Sequence, residues 1–162
     1  MTAPMRSRFA SLSMVSLLAA TVALAAPLAL AQQAPAPDAA TASRLVFVVN
    51  AANRTPVTAD MAREIYRGER RYWPDGTRIV LVVTEPGTRE HQAMTRVLLG
   101  FGEPEFRRLW DALRYQGEAP VPPYVVPSGG AATRFVERVA GAIGYAWEPD
   151  VTPAVRRALT WQ

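Results

Sequence analysis

The chain contains no cysteine and no lysine, and only one histidine. Without cysteine there can be no disulfide, no thiol nucleophile and no lipid-modified cysteine. Without lysine there is no Schiff base and no Walker-type phosphate contact. A single imidazole, His91, cannot build a multi-histidine metal site, and no spaced group of carboxylates replaces one. Neither a Gly-x-Ser-x-Gly elbow nor a Gly-x-Gly-x-x-Gly turn occurs. These gaps remove most covalent, metal-dependent and nucleotide-dependent chemistries, so neither a cofactor nor a metal is expected.

Positive charge is also scarcer than the total of +4 suggests. Arg6 and Arg8 lie in a targeting-like segment, and from Gln32 onward 16 Arg face 14 acidic residues, a balance of about +2. A nucleic-acid binder needs a concentrated basic face, and none is written here. Arg67, Arg70 and Arg71 cluster, but Glu69 interrupts them and they read as a solvated edge. Residues 1–31 combine the charged start, an apolar Phe9–Ala26 stretch and Ala29-Leu30-Ala31. That is the layout of a secretory signal peptide cut after Ala31. An uncleaved anchor is the rival, weakened by Ser11, Ser13, Ser16 and Thr21. Residues 32–43 read as an Ala/Pro-rich disordered leader, and 44–162 as one folded domain.

What the chain has in plenty is strand and helix alternation. Leu45–Val49 and Ile79–Val83 are unbroken apolar runs, the mark of strands buried on both faces. Thr58 is an N-cap for a helix carrying Met61, Ala62, Ile65 and Tyr66, with Gly68 as its stop. Pro74-Asp75-Gly76 is a turn. Thr88 opens a second helix with Met94, Val97 and Leu98 on one side. Pro104 starts a third, where Phe106, Leu109, Trp110 and Leu113 follow the i, i+3, i+4, i+7 spacing of core packing. Tyr124–Val126 is a short strand whose neighbouring prolines place it at an edge or a strand start. Ser128-Gly129-Gly130 precedes a fourth helix with Ala132, Phe135, Val136 and Val139 on one face. Gly141–Ala146 is a glycine-flanked strand, and the tail with Val155, Ala158 and Leu159 reads as a closing helix. The fold class is α/β, with a mostly parallel sheet flanked by helices.

Two strand-to-helix turns leave backbone N–H groups without helical partners, and such groups attract anions. At the first, Thr84, Gly87, Thr88, Arg89 and His91 come together beyond a strand's carboxyl end, where open α/β sheets bind ligands. The Thr88 hydroxyl and the Arg89 guanidinium suit a tetrahedral oxyanion. At the second, Ser128 and Gly129 offer a similar turn. The oxyanion-site residues read this way are Thr84, Gly87, Thr88, Arg89, Ser128 and Gly129. His91 reads as a hydrogen-bonded, half-buried side chain, and Glu85 and Glu90 as carboxylates that complement a helix N-terminus.

Three stretches, Val48–Val83 (VVNAANRTPVTADMAREIYRGERRYWPDGTRIVLVV), Glu85–Gly100 (EPGTREHQAMTRVLLG) and Val139–Pro149 (VAGAIGYAWEP), resemble the periplasmic phosphate-binding proteins of ABC transporters. The likeness is closest to their short single-lobe relatives and runs from about Val46 to Pro149. It implies one lobe of the type II periplasmic-binding-protein fold and a periplasmic location. Full-length members clamp phosphate between two lobes, partly with an Arg-x-x-Gly-Ser-Gly-Thr turn. Thr84–Arg89 stands at that position, where Gly87 and Thr88 match its end and Thr84 replaces its Arg.

The leading expectation is therefore a non-enzymatic, solute-binding-like protein that binds phosphate or a similar oxyanion weakly. An inner-membrane transporter or envelope protein is the partner this implies, and pairing of two copies would rebuild a two-lobed cleft. The alternative is a periplasmic protein–protein adaptor with a vestigial anion site. An exported enzyme using His91 with Glu85 or Glu90 is the weakest option.

Overall fold

The structure, a computed structural model, describes residues 44–116 and 121–161. The expected signal peptide, residues 1–31, and the expected Ala/Pro-rich leader, residues 32–43, lie outside the described residues. Among those described, no helix is long and apolar enough to cross a membrane.

Strand β1 (Leu45–Asn50) is buried along its whole length. Its odd-numbered residues Leu45, Phe47 and Val49 enter one core, and Val46 and Val48 enter a second on the opposite face. That two-sided burial is why the run carries no polar alternation. Helix α1 (Ala59–Tyr66) is capped by Thr58 and buries Ala62, Ile65 and Tyr66 in the first core. Strand β2 (Val80–Thr84) leads to helix α2 (Arg89–Met94), capped by Thr88. Helix α3 (Glu103–Tyr115) buries Phe106 and Trp110, and β3 (Tyr124–Val126) forms one edge of the sheet. Helix α4 (Gly129–Arg138) covers the second core, and β4 (Ala142–Trp147) and β5 (Val155–Trp161) complete the fold.

The five strands form one sheet in the order β3-β2-β4-β1-β5. The α/β class and the mostly parallel sheet stand as the sequence implies: β2, β3, β4 and β5 run the same way, and β1 alone is reversed. β2 runs parallel to β3 and β4, whereas β1 is antiparallel to both β4 and β5. Burial fixes the run of apolar residues and leaves strand direction unwritten.

The tail is a strand, not the expected closing helix. Its pairing with β1 jumps from Leu159 opposite Phe47 to Arg157 opposite Val48, so Ala158 is an extra residue in a bulge. The bulge puts Ala158 and Leu159 against the same core, and this imitates helical spacing.

Helix α2 passes into a π-helical turn, Thr95–Leu99, that ends at left-handed Gly100. The Thr95 hydroxyl donates to the carbonyls of His91 (3.1 Å) and Gln92 (3.1 Å), drawing on the acceptors of that turn. The shifted register buries Met94, Leu98 and Leu99 and leaves Val97 exposed, against the expected Met94–Val97–Leu98 face. Arg70 is tied to Glu64 at 2.7 Å.

Candidate functional site

β2 and β3 lie side by side and parallel, with Thr84 opposite Val126. The helix that follows β2 packs into one core, and the helix that follows β3 into the other. Adjacent parallel strands whose helices leave to opposite faces open a crevice at their carboxyl ends, the usual ligand position in α/β sheets. The two turns nominated from sequence therefore stand at the carboxyl ends of two neighbouring parallel strands.

A hydrogen-bonded chain of side chains lies behind the first turn. The Thr88 hydroxyl donates to the Glu85 carbonyl at 2.8 Å and accepts from the His91 backbone N–H at 3.3 Å. Thr84 Oγ1 lies 2.8 Å from Thr88 Oγ1 and 3.1 Å from the Tyr145 hydroxyl. That hydroxyl accepts from the Thr84 backbone N–H at 3.0 Å and lies 3.1 Å from His91 Nδ1.

Counting protons fixes every direction in the chain. A carbonyl cannot donate, so the Thr88 proton is committed to Glu85. Thr84 must then donate to Thr88, Tyr145 to Thr84, and His91 Nδ1–H to Tyr145. Any other assignment leaves a contact with no proton in it. His91 is therefore the Nδ1–H tautomer, and its Nε2 is a bare acceptor 3.9 Å from Glu103 Oε1, beyond hydrogen-bond reach. The Tyr145 ring is held by Phe47 (6.0 Å between centroids) and Tyr66 (5.9 Å), and His91 by the edge-on ring of Phe106 (5.3 Å).

Burial lowers the His91 pKa from 6.5, the nearby Glu103 carboxylate opposing that shift only in part. Burial likewise raises that of Tyr145. A histidine buried neutral binds fewer protons than the unfolded one. Its contribution to stability is thus complete above pH 6.5 and is lost as pH falls through the depressed folded value. Because His91 is the sole histidine, NMR of its imidazole should show one titration with a midpoint below 6.5, accompanied by a falling urea midpoint. A titration at or above 6.5 would contradict the burial argument.

The anion-seeking backbone groups already hold carboxylates. Gly87, at φ +88°, donates its N–H to Glu103 Oε1 at 2.6 Å. Gly129 N–H faces Glu90 Oε1 at 3.4 Å, which links α2 to the start of α4. That start sits flat on the sheet, since a Cβ at Gly129 would lie 2.9 Å from Ala146 Cα. The Ser128 hydroxyl is spent on its own helix, accepting from Ala131 N–H at 3.3 Å. The Arg89 guanidinium lies 5.9 Å from the centre of the Trp147 ring. The structure thus joins Thr84 directly to Thr88 and connects the two turns through Glu90. Ser128 and Arg89 make their contacts elsewhere.

Two residues that shape this end of the molecule, Glu103 and Tyr145, were not nominated from sequence. Glu103 reaches Gly87 from 16 residues away, and no local pattern announces such a contact. Tyr145 left a clearer trace as the polar-tipped residue of an otherwise apolar strand. Among the described residues, no group of three or more His, Asp or Glu is placed to hold a metal ion.

Neither a protein-family model nor a curated protein sequence matches the chain. Solved structures do match its fold. One is a Clostridium perfringens protein described as a phosphate ABC transporter substrate-binding protein, solved with bound phosphate. The match has a TM-score of 0.54 at 19% identity and covers 70% of this chain and 43% of that one. Another is an ABC-type phosphate transport receptor from Vibrio cholerae, with a TM-score of 0.53 at 20% identity, covering 70% of this chain and 44% of that one. The chain spans less than half the length of either protein. In fold, it is a partial structural relative of the phosphate transporter substrate-binding proteins.

Proposed function

We propose that residues 44–162 are a non-catalytic, exported lobe of the solute-binding type, delivered by residues 1–31. It takes phosphate or a similar tetrahedral oxyanion weakly at the crevice between β2 and β3. One observation carries this reading: the Gly87 and Gly129 N–H groups each hold a carboxylate of the same chain. Backbone groups that bind an internal anion are competent for an external one, which must first displace Glu103 and Glu90. At neutral pH the displaced carboxylates add repulsion, and exposed Glu85 adds more. Weak binding follows from that competition. The fold shared with two phosphate-transport proteins names the oxyanion to try first.

Calorimetric titration with phosphate at low salt, with sulfate as control, tests it. Wild-type protein should bind phosphate no tighter than about 1 mM, near −4 kcal/mol. The Glu90→Gln/Glu103→Gln double variant should bind at least about tenfold tighter, a gain of roughly 1.4 kcal/mol. Adding Thr88→Val and Arg89→Ala to it should abolish the gain. If the double variant shows no heat at millimolar phosphate, the oxyanion reading fails. The internal occupation of both N–H groups would then favour the adaptor reading, with a membrane transporter, an envelope protein or a second copy as partner.

A further inference from the structure

A cavity of about 290 Å³ lies between α3 and the β2–β3 edge. Its walls are apolar and aromatic, formed by Val83, Pro86, Phe106, Trp110, Pro123 and Val125. At its inner end stand His91, 3% exposed, and Glu103. Arg107 and the Asp111–Arg114 pair lie at the solvent end, where water screens them.

The inner end is chemically one-sided. Proton counting leaves His91 Nε2 as an acceptor, because Nδ1–H is committed to Tyr145. The Glu103 carboxylate beside it, 3.9 Å away, is also acceptor-only. Two acceptors facing one apolar cavity with no donor between them call for a group carrying N–H bonds and positive charge. Phe106 and Trp110, with ring centroids 6.2 Å apart, supply flat surface for an aromatic body and for cation–π attraction. A cavity of this size suits a ligand of about ten non-hydrogen atoms.

We propose that this cavity is a binding site for a small aromatic or apolar organic cation of the amine or amidine class. The ligand's N–H groups bridge His91 Nε2 and Glu103, and its ring lies against Phe106 and Trp110. The site is distinct from the oxyanion turn but shares Glu103 with it, so cation and oxyanion place opposite demands on that carboxylate.

Benzamidine is the probe, with benzamide and benzoate as neutral and anionic matches of the same shape. Binding is read by Trp fluorescence and by the NMR signals of the single imidazole on the full domain. Benzamidine should bind at sub-millimolar concentration and shift the His91 Nε2 signal. Benzamide should bind at least about tenfold more weakly and benzoate not at all. Glu103→Gln keeps an oxygen for the Gly87 N–H and removes the charge, so it should weaken benzamidine binding at least about tenfold with the melting temperature retained. The same substitution should strengthen phosphate binding, so the two sites respond in opposite directions. Tighter binding of benzoate than of benzamidine would overturn the proposal. So would an unmoved His91 signal at about 10 mM benzamidine, or unchanged affinity in a folded Glu103→Gln variant.

Discussion

Gly141→Ala should cost about 3–4 kcal/mol of stability, the largest single-residue loss expected outside the aliphatic core. Gly141 sits at φ +79°, a left-handed conformation that alone costs an alanine about 1 kcal/mol or more. A Cβ there would also fall 2.4 Å from the Arg78 carbonyl oxygen, a backbone atom that no rotamer change can move. Arg78 leads into β2, and the Gly141 carbonyl accepts from Trp73 Nε1 at 2.9 Å and from Val80 N–H at 3.1 Å. Displacing Gly141 therefore disturbs the buried Trp73 as well as the first pairing of β2 with β4. Urea denaturation checks this, with Gly76→Ala as the comparison. Gly76 shares the positive φ (+84°) and has open space where its Cβ would go, so it should lose only the conformational part. Equal losses at the two positions would refute the steric argument.

Tyr145→Phe should cost about 2–4 kcal/mol although it removes one oxygen and no ring packing. The hydroxyl accepts from the Thr84 N–H and His91 Nδ1–H and donates to Thr84 Oγ1, all of them buried. Phenylalanine would strand two donors and an acceptor away from water, and each such group costs about 1–3 kcal/mol before relaxation. The effect should not stop at stability. With Tyr145 gone, the ring loses its side-chain partner at Nδ1 and keeps only its hydrogen bond with the Thr84 backbone, while the Nε2–H form gains attraction from the Glu103 carboxylate. The imidazole nitrogen shifts of His91 should therefore change from the Nδ1–H pattern toward the Nε2–H pattern. A loss below about 1 kcal/mol with the Nδ1–H pattern intact would show that the chain of donors is not as counted.

The elements that read well from sequence are those whose environment is simple. Leu45–Val49 and Ile79–Val83 are apolar throughout because helices cover both faces of the sheet, and Thr58, Thr88 and Ser128 announce helix starts by capping them. Direction, by contrast, leaves no mark on such a run. The antiparallel setting of β1 depends on partners, near Tyr145 and Leu159, that are about a hundred residues away. Local exceptions hid the rest. The Ala158 bulge gave a strand the spacing of a helix, and the Thr95 hydroxyl bonds re-phased the end of α2. At the crevice, Thr84 and Thr88 were legible as turn and cap. The carboxylates of Glu90 and Glu103 were not, since they reach Gly129 and Gly87 across tertiary structure.

The strand order has a bearing on how this chain comes to be folded. β1 is made first, yet it stands between β4 and β5, the last two strands to appear. Until residue 142 has emerged, its six apolar-rich residues have no native strand on either side. Closing that gap means tying loops of about a hundred residues before any sheet contact rewards the cost, which makes for slow folding. In the interval Leu45–Asn50 is a short, uncharged β-forming segment with both edges open, the kind that pairs with its own copies. A chain of this order gains from being kept unfolded until it is complete, and its yield on refolding should depend on concentration more than its native stability would suggest.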